Sequence, residues 1–242
     1  MTPTGATRRP RVVLVHGSRL ASSQWAPQLP LLAPHVDVVT PDLPGHGVRA
    51  GERFTLDRAV EVVQEAVALS RAPTVVVGHS LGGYVVLAHA ARHAEGLAGV
   101  VLAGCTATPT GPGAALYRGV AALTERVGPR RMTRVNDRVL RRLYPAEVIE
   151  PVIAGGYYFD GTPDAWREVM THCRPAMLHG VDCPVLFLHG RWDQFRLGIR
   201  AFRRACPHAE EVVVRGASHL VNLDQPERFA RAVLDFVERD AG

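Results

Sequence analysis

A chain of 242 residues, 47% apolar and 21% charged, is long enough to bury the core of one large domain and lacks the composition of a disordered or fibrous protein. Its net charge of +5 comes from 28 basic side chains spread over many segments with no recognised nucleic-acid module, so nucleic acid is not an expected partner. All 28 are arginine, which removes lysine-based chemistry such as Schiff bases, and no stretch approaches the ~18 apolar residues of a membrane span.

Along the chain, residues 12–15 form the first of six short runs of branched apolar residues, each closed by glycine or a turn cluster; the others are 36–40, 74–77, 100–103, 185–188 and 211–214. Such runs read as fully buried strands. The spacing of apolar residues predicts helices over 56–69, 81–93 and 226–237, with Pro226 placed in the first turn of the last. Strands alternating with helices predict an α/β fold: a mostly parallel, doubly wound sheet of about six strands with helices on both faces.

One interval breaks the alternation, because about eighty residues separate the fourth run from the fifth. It begins in a stretch rich in proline, glycine and threonine (106–113) and continues with helical patterns over 114–143 and 146–170. The expected organisation is therefore a core made of residues 1–104 and 184–242, with a small helical cap over 105–183. The polar start of the chain has no apolar export segment, and Cys105, Cys173, Cys183 and Cys206 are scattered, without a C-x-x-C pair. A cytoplasmic protein with reduced thiols is expected.

Immediately after the third run stands Gly78-His79-Ser80-Leu81-Gly82-Gly83, a G-x-S-x-G between a predicted strand and a predicted helix. A sharp strand-to-helix turn that exposes a serine leaves no room for side chains two positions to either side, and glycines stand at both. The bland alternative is a glycine-rich turn with an N-capping serine. A serine hydroxyl needs a base, and of eleven histidines His219 is placed to serve, on the loop between the last strand and the last helix. A carboxylate must orient that imidazole, and Asp193, in His189-Gly190-Arg191-Trp192-Asp193, follows the fifth run at the same edge of the sheet. Either could instead be an ordinary loop residue, the aspartate paired with Arg191 or Arg196. Main-chain N–H groups of Ser18, after the first run, and of Leu81 are the expected oxyanion donors. His89 and His93 lie four apart but lack a suitable glutamate, so they read as a helix face and no metal is expected.

With these residues assembled, the chain resembles the α/β-hydrolase family over almost its whole length. Val13-Leu14-Val15-His16-Gly17-Ser18 with Trp25 is similar to the family's oxyanion segment, Pro41-Asp42-Leu43-Pro44-Gly45-His46-Gly47 to the loop after its next strand, Gly78 to Gly83 to its nucleophile elbow, and His219 with Leu223, Pro226 and Phe229 to its histidine loop and last helix. The resemblance implies a lid between the sixth and seventh strands of the family's sheet, which here falls before the last two strands, no metal and no organic cofactor. Two departures stand out: the amino terminus is short for the family's initial antiparallel hairpin, and Val48-Arg49 replaces a common serine.

The expected activity is that of a serine hydrolase acting on a small-molecule ester or thioester through an acyl-enzyme. A lyase, cyclase or carbon–carbon hydrolase acting on a ketone with the same triad, or a non-catalytic ligand receptor, remains open. Trp25, His79, Tyr157, Phe159 and Leu220 are candidate pocket residues, with Leu81 and the cap aromatics lining an apolar acyl site. Arg118, Arg126, Arg130, Arg131, Arg134, Arg138, Arg141 and Arg142, against only Glu125 and Asp137, would draw an anionic substrate or an acyl carrier, or else form a solvated helix face. Whether the protein is a monomer or a dimer stays open.

Overall fold

The valine-rich runs pair as six parallel strands: β1 (Arg11–Val15), β2 (Asp37–Val39), β3 (Thr74–His79), β4 (Leu97–Ala103), β5 (Val185–Gly190) and β6 (Glu210–Val214), in the order β2-β1-β3-β4-β5-β6. This computed structural model describes residues 9–93, 96–108 and 128–240. The predicted parallel sheet is therefore present, and it is open rather than closed on itself. Every expected run falls on one of these strands; β4 starts three residues earlier than the branched run because Leu97 and Gly99 continue the pairing with β3, with Ala98 bulged out at a shift of register.

Successive strand side chains point to opposite faces, so a strand covered on both sides must be apolar throughout. Val13, Val15 and Val76 join one buried cluster. Val12, Leu14, Val75 and Val77 join another on the reverse face. The first face is covered by α2 (Leu56–Ala68) and α3 (Leu81–Arg92). The second is covered by the short α1 (Leu29–Leu32) and by α9 (Pro226–Asp240), whose Phe229, Val233 and Phe236 are almost wholly buried. The start of α2 is set by Thr55, whose hydroxyl accepts the otherwise unpaired N–H of Arg58.

Between β4 and β5 lie α4 (Pro129–Leu143), α5 (Ala146–Ala154) and α6 (Thr162–His172). The pattern over 146–170, continuous in sequence, is broken into α5 and α6 at Gly155–Gly156, where the backbone of Gly156 turns left-handed at φ 82°. Residues 109–127 of the expected cap, with Arg118, Glu125 and Arg126, lie outside the described residues. Three short helices were not evident from spacing, α1, α7 (Ile199–Ala205) and α8 (Val221–Asp224), each too brief to show a period. Among the described residues no helix is long and apolar enough to cross a membrane.

The order of the strands places β1 beside β3, with β2 on one side and β4 to β6 on the other. The chain thus reverses direction of winding between β1 and β3, and a crevice opens at the carboxyl ends of those two strands. Helix α3 reaches the sheet there by direct backbone contact: a Cβ on Gly82 would stand 2.5 Å from the carbonyl oxygen of His16, with the Val15 carbonyl nearer still. Backbone cannot yield as a flexible side chain does. Gly82→Ala is expected to lower the unfolding free energy by about 2–3 kcal/mol, read as an earlier urea midpoint by circular dichroism.

Candidate active site

Ser80 occupies the turn between β3 and α3 with φ 52° and ψ −114°, a left-handed backbone that a residue with a side chain adopts only under constraint. Its hydroxyl and the ring of His219 meet at 3.0 Å, Oγ to Nε2, and His219 Nδ1 lies 3.1 Å from Asp193 Oδ1. The three side chains come from loops after β3, β6 and β5, so the structure brings the sequence-expected set into one hydrogen-bonded line.

The proton positions follow from the partners. Asp193 is 4% exposed, and its Oδ1 also accepts the N–H of Phe195 at 2.9 Å. Burial pushes its carboxyl up, but the hydrogen bond from His219, together with the Phe195 N–H, outweighs this and holds it below its ordinary value. An ionised carboxylate only accepts, so Nδ1 of His219 carries hydrogen and Nε2 is left to accept from Ser80. Phe195 packs edge-on against the His219 ring at 4.6 Å. Its loop is tied down in turn: Thr106 Oγ1 donates to the Phe195 carbonyl at 2.9 Å and accepts from His189 Nε2 at 3.0 Å.

The segment expected to supply an oxyanion donor lies against Ser80, since a Cβ on Gly17 would stand 3.4 Å from that of Ser80. Its path is set by two buried histidines. His16 Nε2 accepts the N–H of Leu43, while Nδ1 donates to the Gly17 carbonyl at 2.8 Å. His46 accepts the N–H of Arg19 at 3.3 Å and donates to Pro44 at 2.9 Å. Asp42 receives the N–H groups of Ser22 and Val48, which closes the loop after β2 onto the same segment. The N–H of Leu81 opens α3 and has no carbonyl within its own helix to reach.

A cavity of about 470 Å³ opens above Ser80. His79, Tyr157 and Leu220 line it, as expected, and it is walled by Leu20, Val139, Leu140, Leu143 and Tyr144. Three expected lining residues lie elsewhere. Trp25 is fully buried on the far face of the sheet, 5.7 Å from the ring of Phe229, because that face needed a large apolar side chain between α1 and α9. The Leu81 side chain is in the core, so only its main chain is left to serve the site. Phe159 stacks on Tyr157 at 6.0 Å and faces a second cavity of about 450 Å³ with Tyr158 and Arg130.

Sequence reasoning also missed Gln24, Asn222 and Tyr144. Gln24 and Asn222 are buried beneath the site, and Tyr144 donates to Asp224, which receives both the N–H and the hydroxyl of Ser218 beside His219. Gln24 borders the recognised segment and could have been singled out as a buried amide one residue before Trp25; the other two have no local signal. On α4 the exposed Arg130, Arg131, Arg134, Arg138, Arg141 and Arg142 face solvent, while Val139, Leu140 and Leu143 face the cavity. Arg141 is paired with Glu150 at 2.8 Å.

Burial holds His16 and His79 down to about 3 and His89 and His189 down to about 4, in each case as the largest cause. The unfolded chain takes up these protons near pH ~6.5, and the folded chain refuses them until far lower pH. The stability they allow is thus present above pH ~6.5 and lost as pH falls toward 4, by about 1–2 kcal/mol per histidine at pH 5. Urea midpoints at pH 7.5 and 5.0 check this, and equal midpoints would contradict it.

Comparison with known proteins gives these features a context. The family model for the alpha/beta hydrolase family matches residues 12–232. A pyrethroid hydrolase of Sphingobium wenxiniae is 26% identical, the match covering 95% of this chain and 88% of that protein. A pimeloyl-[acyl-carrier protein] methyl ester esterase of Neisseria meningitidis is 29% identical over 94% of this chain and 77% of that protein. A solved thermophilic esterase from Thermogutta terrifontis superposes with a TM-score of 0.74 at 26% identity, covering 98% of this chain and 92% of the other. A family match over nine-tenths of the sequence, on a sheet with the order described above, makes this chain a member of the alpha/beta hydrolase family.

Proposed function

We propose that this esterase-type hydrolase cleaves a carboxylic ester or thioester of a small molecule through an acyl-enzyme on Ser80. The observation that carries the reading is the 3.0 Å approach of Ser80 Oγ to an imidazole nitrogen whose other side is fixed by a buried carboxylate. Ser80 Oγ attacks the carbonyl carbon as its proton passes to His219 Nε2, and the displaced electron pair rests on the carbonyl oxygen, met by the N–H groups of Ser18 and Leu81. Collapse breaks the bond to the leaving alcohol or thiol, which takes the proton from His219. Water repeats the sequence on the acyl-serine, so one water is consumed and one acid is released.

The acyl portion sits against Leu140, Leu143, Tyr144, Tyr157 and Leu220, an apolar wall with few polar groups to satisfy. Residues 128–183, the described helical part of the lid expected over 105–183, carry most of that wall. The arginines of α4 favour a negatively charged substrate or an acyl group delivered by an acidic carrier, a reading supported by the name of the Neisseria relative.

Incubation with a fluorophosphonate is expected to add its mass to Ser80, and Ser80→Ala is expected to abolish both labelling and ester turnover. Folded protein that stays unlabelled would overturn the reading. His219→Ala and Asp193→Asn are expected to lower kcat by about 10³- to 10⁴-fold with little change in KM. Product analysis in ¹⁸O-water checks the reaction type, since only hydrolysis places the label in the acid.

Truncation of the wall gives a second expectation. Tyr157→Ala is expected to raise KM for butyryl to octanoyl esters by about 5- to 30-fold, the loss of about 1–2 kcal/mol of contact. Phe159→Ala, off the cavity, leaves KM within about twofold. Steady-state kinetics on a graded ester series reads both.

A further inference from the structure

Beneath the Ser80–His219–Asp193 line runs a second polar chain that no step of the proposed reaction uses. Gln24, Gln28 and Asn222 are fully buried and His79 is 2% exposed. Burying such groups is unfavourable unless each is satisfied, and here the bonds that end on a backbone group, which cannot reverse its role, fix the direction of the rest. The N–H of Gly17 can only donate, so the oxygen of the Gln24 amide faces it at 2.8 Å and the amide nitrogen faces His79 Nδ1 at 2.9 Å. His79 Nδ1 must then accept, which leaves Nε2–H to donate to the carbonyl of His219 at 2.8 Å.

Asn222 anchors the other side of Gln24. Its Nδ2 donates to the Gln24 carbonyl and to Gln28 Oε1, both at 3.2 Å, and its Oδ1 accepts from Gln24 Nε2 at 3.3 Å. Gln28 returns a bond to the Asn222 carbonyl at 2.6 Å. The amide of Gln24 therefore cannot flip without breaking contacts on three sides.

What this chain joins is informative. Gly17 precedes Ser18 on the loop after β1, His219 lies on the loop after β6, and His79 is the residue before Ser80. These loops belong to strands at different places in the sheet, and their ends have no common secondary structure to set their spacing. We propose that Gln24 and His79 are positioning residues, a relay that locks the main chain of Gly17–Ser18 to the main chain of His219 and so holds oxyanion donor and base in one register about Ser80. The inference rests on the roles given above to Ser80, His219 and Ser18. Burial, and then the neighbouring His219, lower the pKa of His79 to about 3, so this ring, 5.0 Å from that of His219, stays neutral while His219 is charged in turnover.

The test compares wild type, Gln24→Leu, His79→Leu, His79→Gln and the double leucine variant in p-nitrophenyl butyrate hydrolysis. Each rate is divided by the fraction of Ser80 that a fluorophosphonate labels at completion, which removes any loss of folded protein from the comparison. Each leucine variant is expected to lose about 10- to 100-fold in kcat per labelled serine, with KM within about twofold. The double variant is expected to lose no more than about the worse single, because both cut one chain. His79→Gln, whose amide N–H reaches the His219 carbonyl, is expected to recover to within about fivefold of wild type.

Leucine variants that keep the wild-type kcat per labelled serine would overturn the relay, as would losses that multiply in the double variant or a glutamine no better than leucine. If those results come from a wild type that labels and turns over, the relay alone falls. A wild type that neither labels nor hydrolyses removes the role of Ser80 and the relay with it.

Discussion

Backbone packed directly on backbone at the carboxyl ends of β1 and β3 is the constraint from which the rest of the site follows. A Cβ on Gly78 would meet the main chain of Gly82 and Gly83, and one on Gly82 would meet the carbonyls of Val15 and His16. With no side chains between them, α3 starts one residue after Ser80, and the serine takes a left-handed backbone with its hydroxyl at the crevice. The strain at that residue, of order 1–3 kcal/mol, is tolerated because both flanking elements are buried in the core. The same contact brings the His16–Ser18 segment beside the serine, so one packing event positions both Ser80 and that segment.

Around this contact the loops are held by buried polar side chains rather than by regular structure. His16, His46, Asp42, Gln24 and Thr106 each satisfy main-chain donors or acceptors in a loop that follows a strand, and His189 holds the Thr106 hydroxyl in turn. The histidines do this as neutral rings, because burial disfavours the cation more than nearby carboxylates favour it. Acidification therefore acts on the scaffold of the site.

The helices between β4 and β5 are stitched to the same segment. The main chain of Tyr158 pairs with that of Arg19, Ser23 Oγ donates to the Val152 carbonyl at 3.0 Å, and Tyr144 bonds Asp224 beside the histidine loop. The apolar wall of the cavity is thus registered against residues 17–23 and 218–224, the two segments that flank Ser80. A shift of these helices would move the wall and residues 17–23 together.

Local chemistry made much of this legible in advance. Valine runs specify buried strands whatever surrounds them, and the glycine–serine–glycine spacing of an elbow is a steric requirement written within five residues. Ser80, Asp193 and His219 could be picked out because each follows a strand, and in a parallel sheet all such loops share an edge. Trp25, Leu81 and Phe159 could not be placed by the same reasoning. Whether a large apolar side chain faces a cavity or a core depends on which of two packed faces it meets, and nothing adjacent in sequence encodes that. The Gln24–His79–Asn222 chain was equally hidden, since its members are joined by contacts spanning 55 and 198 residues. Sequence alone determined the strands and the glycine-flanked turn at Ser80, because these rest on interactions between near neighbours. Tertiary structure alone decided the shape of the pocket and the buried polar chain, because both arise where distant segments meet and exclude water.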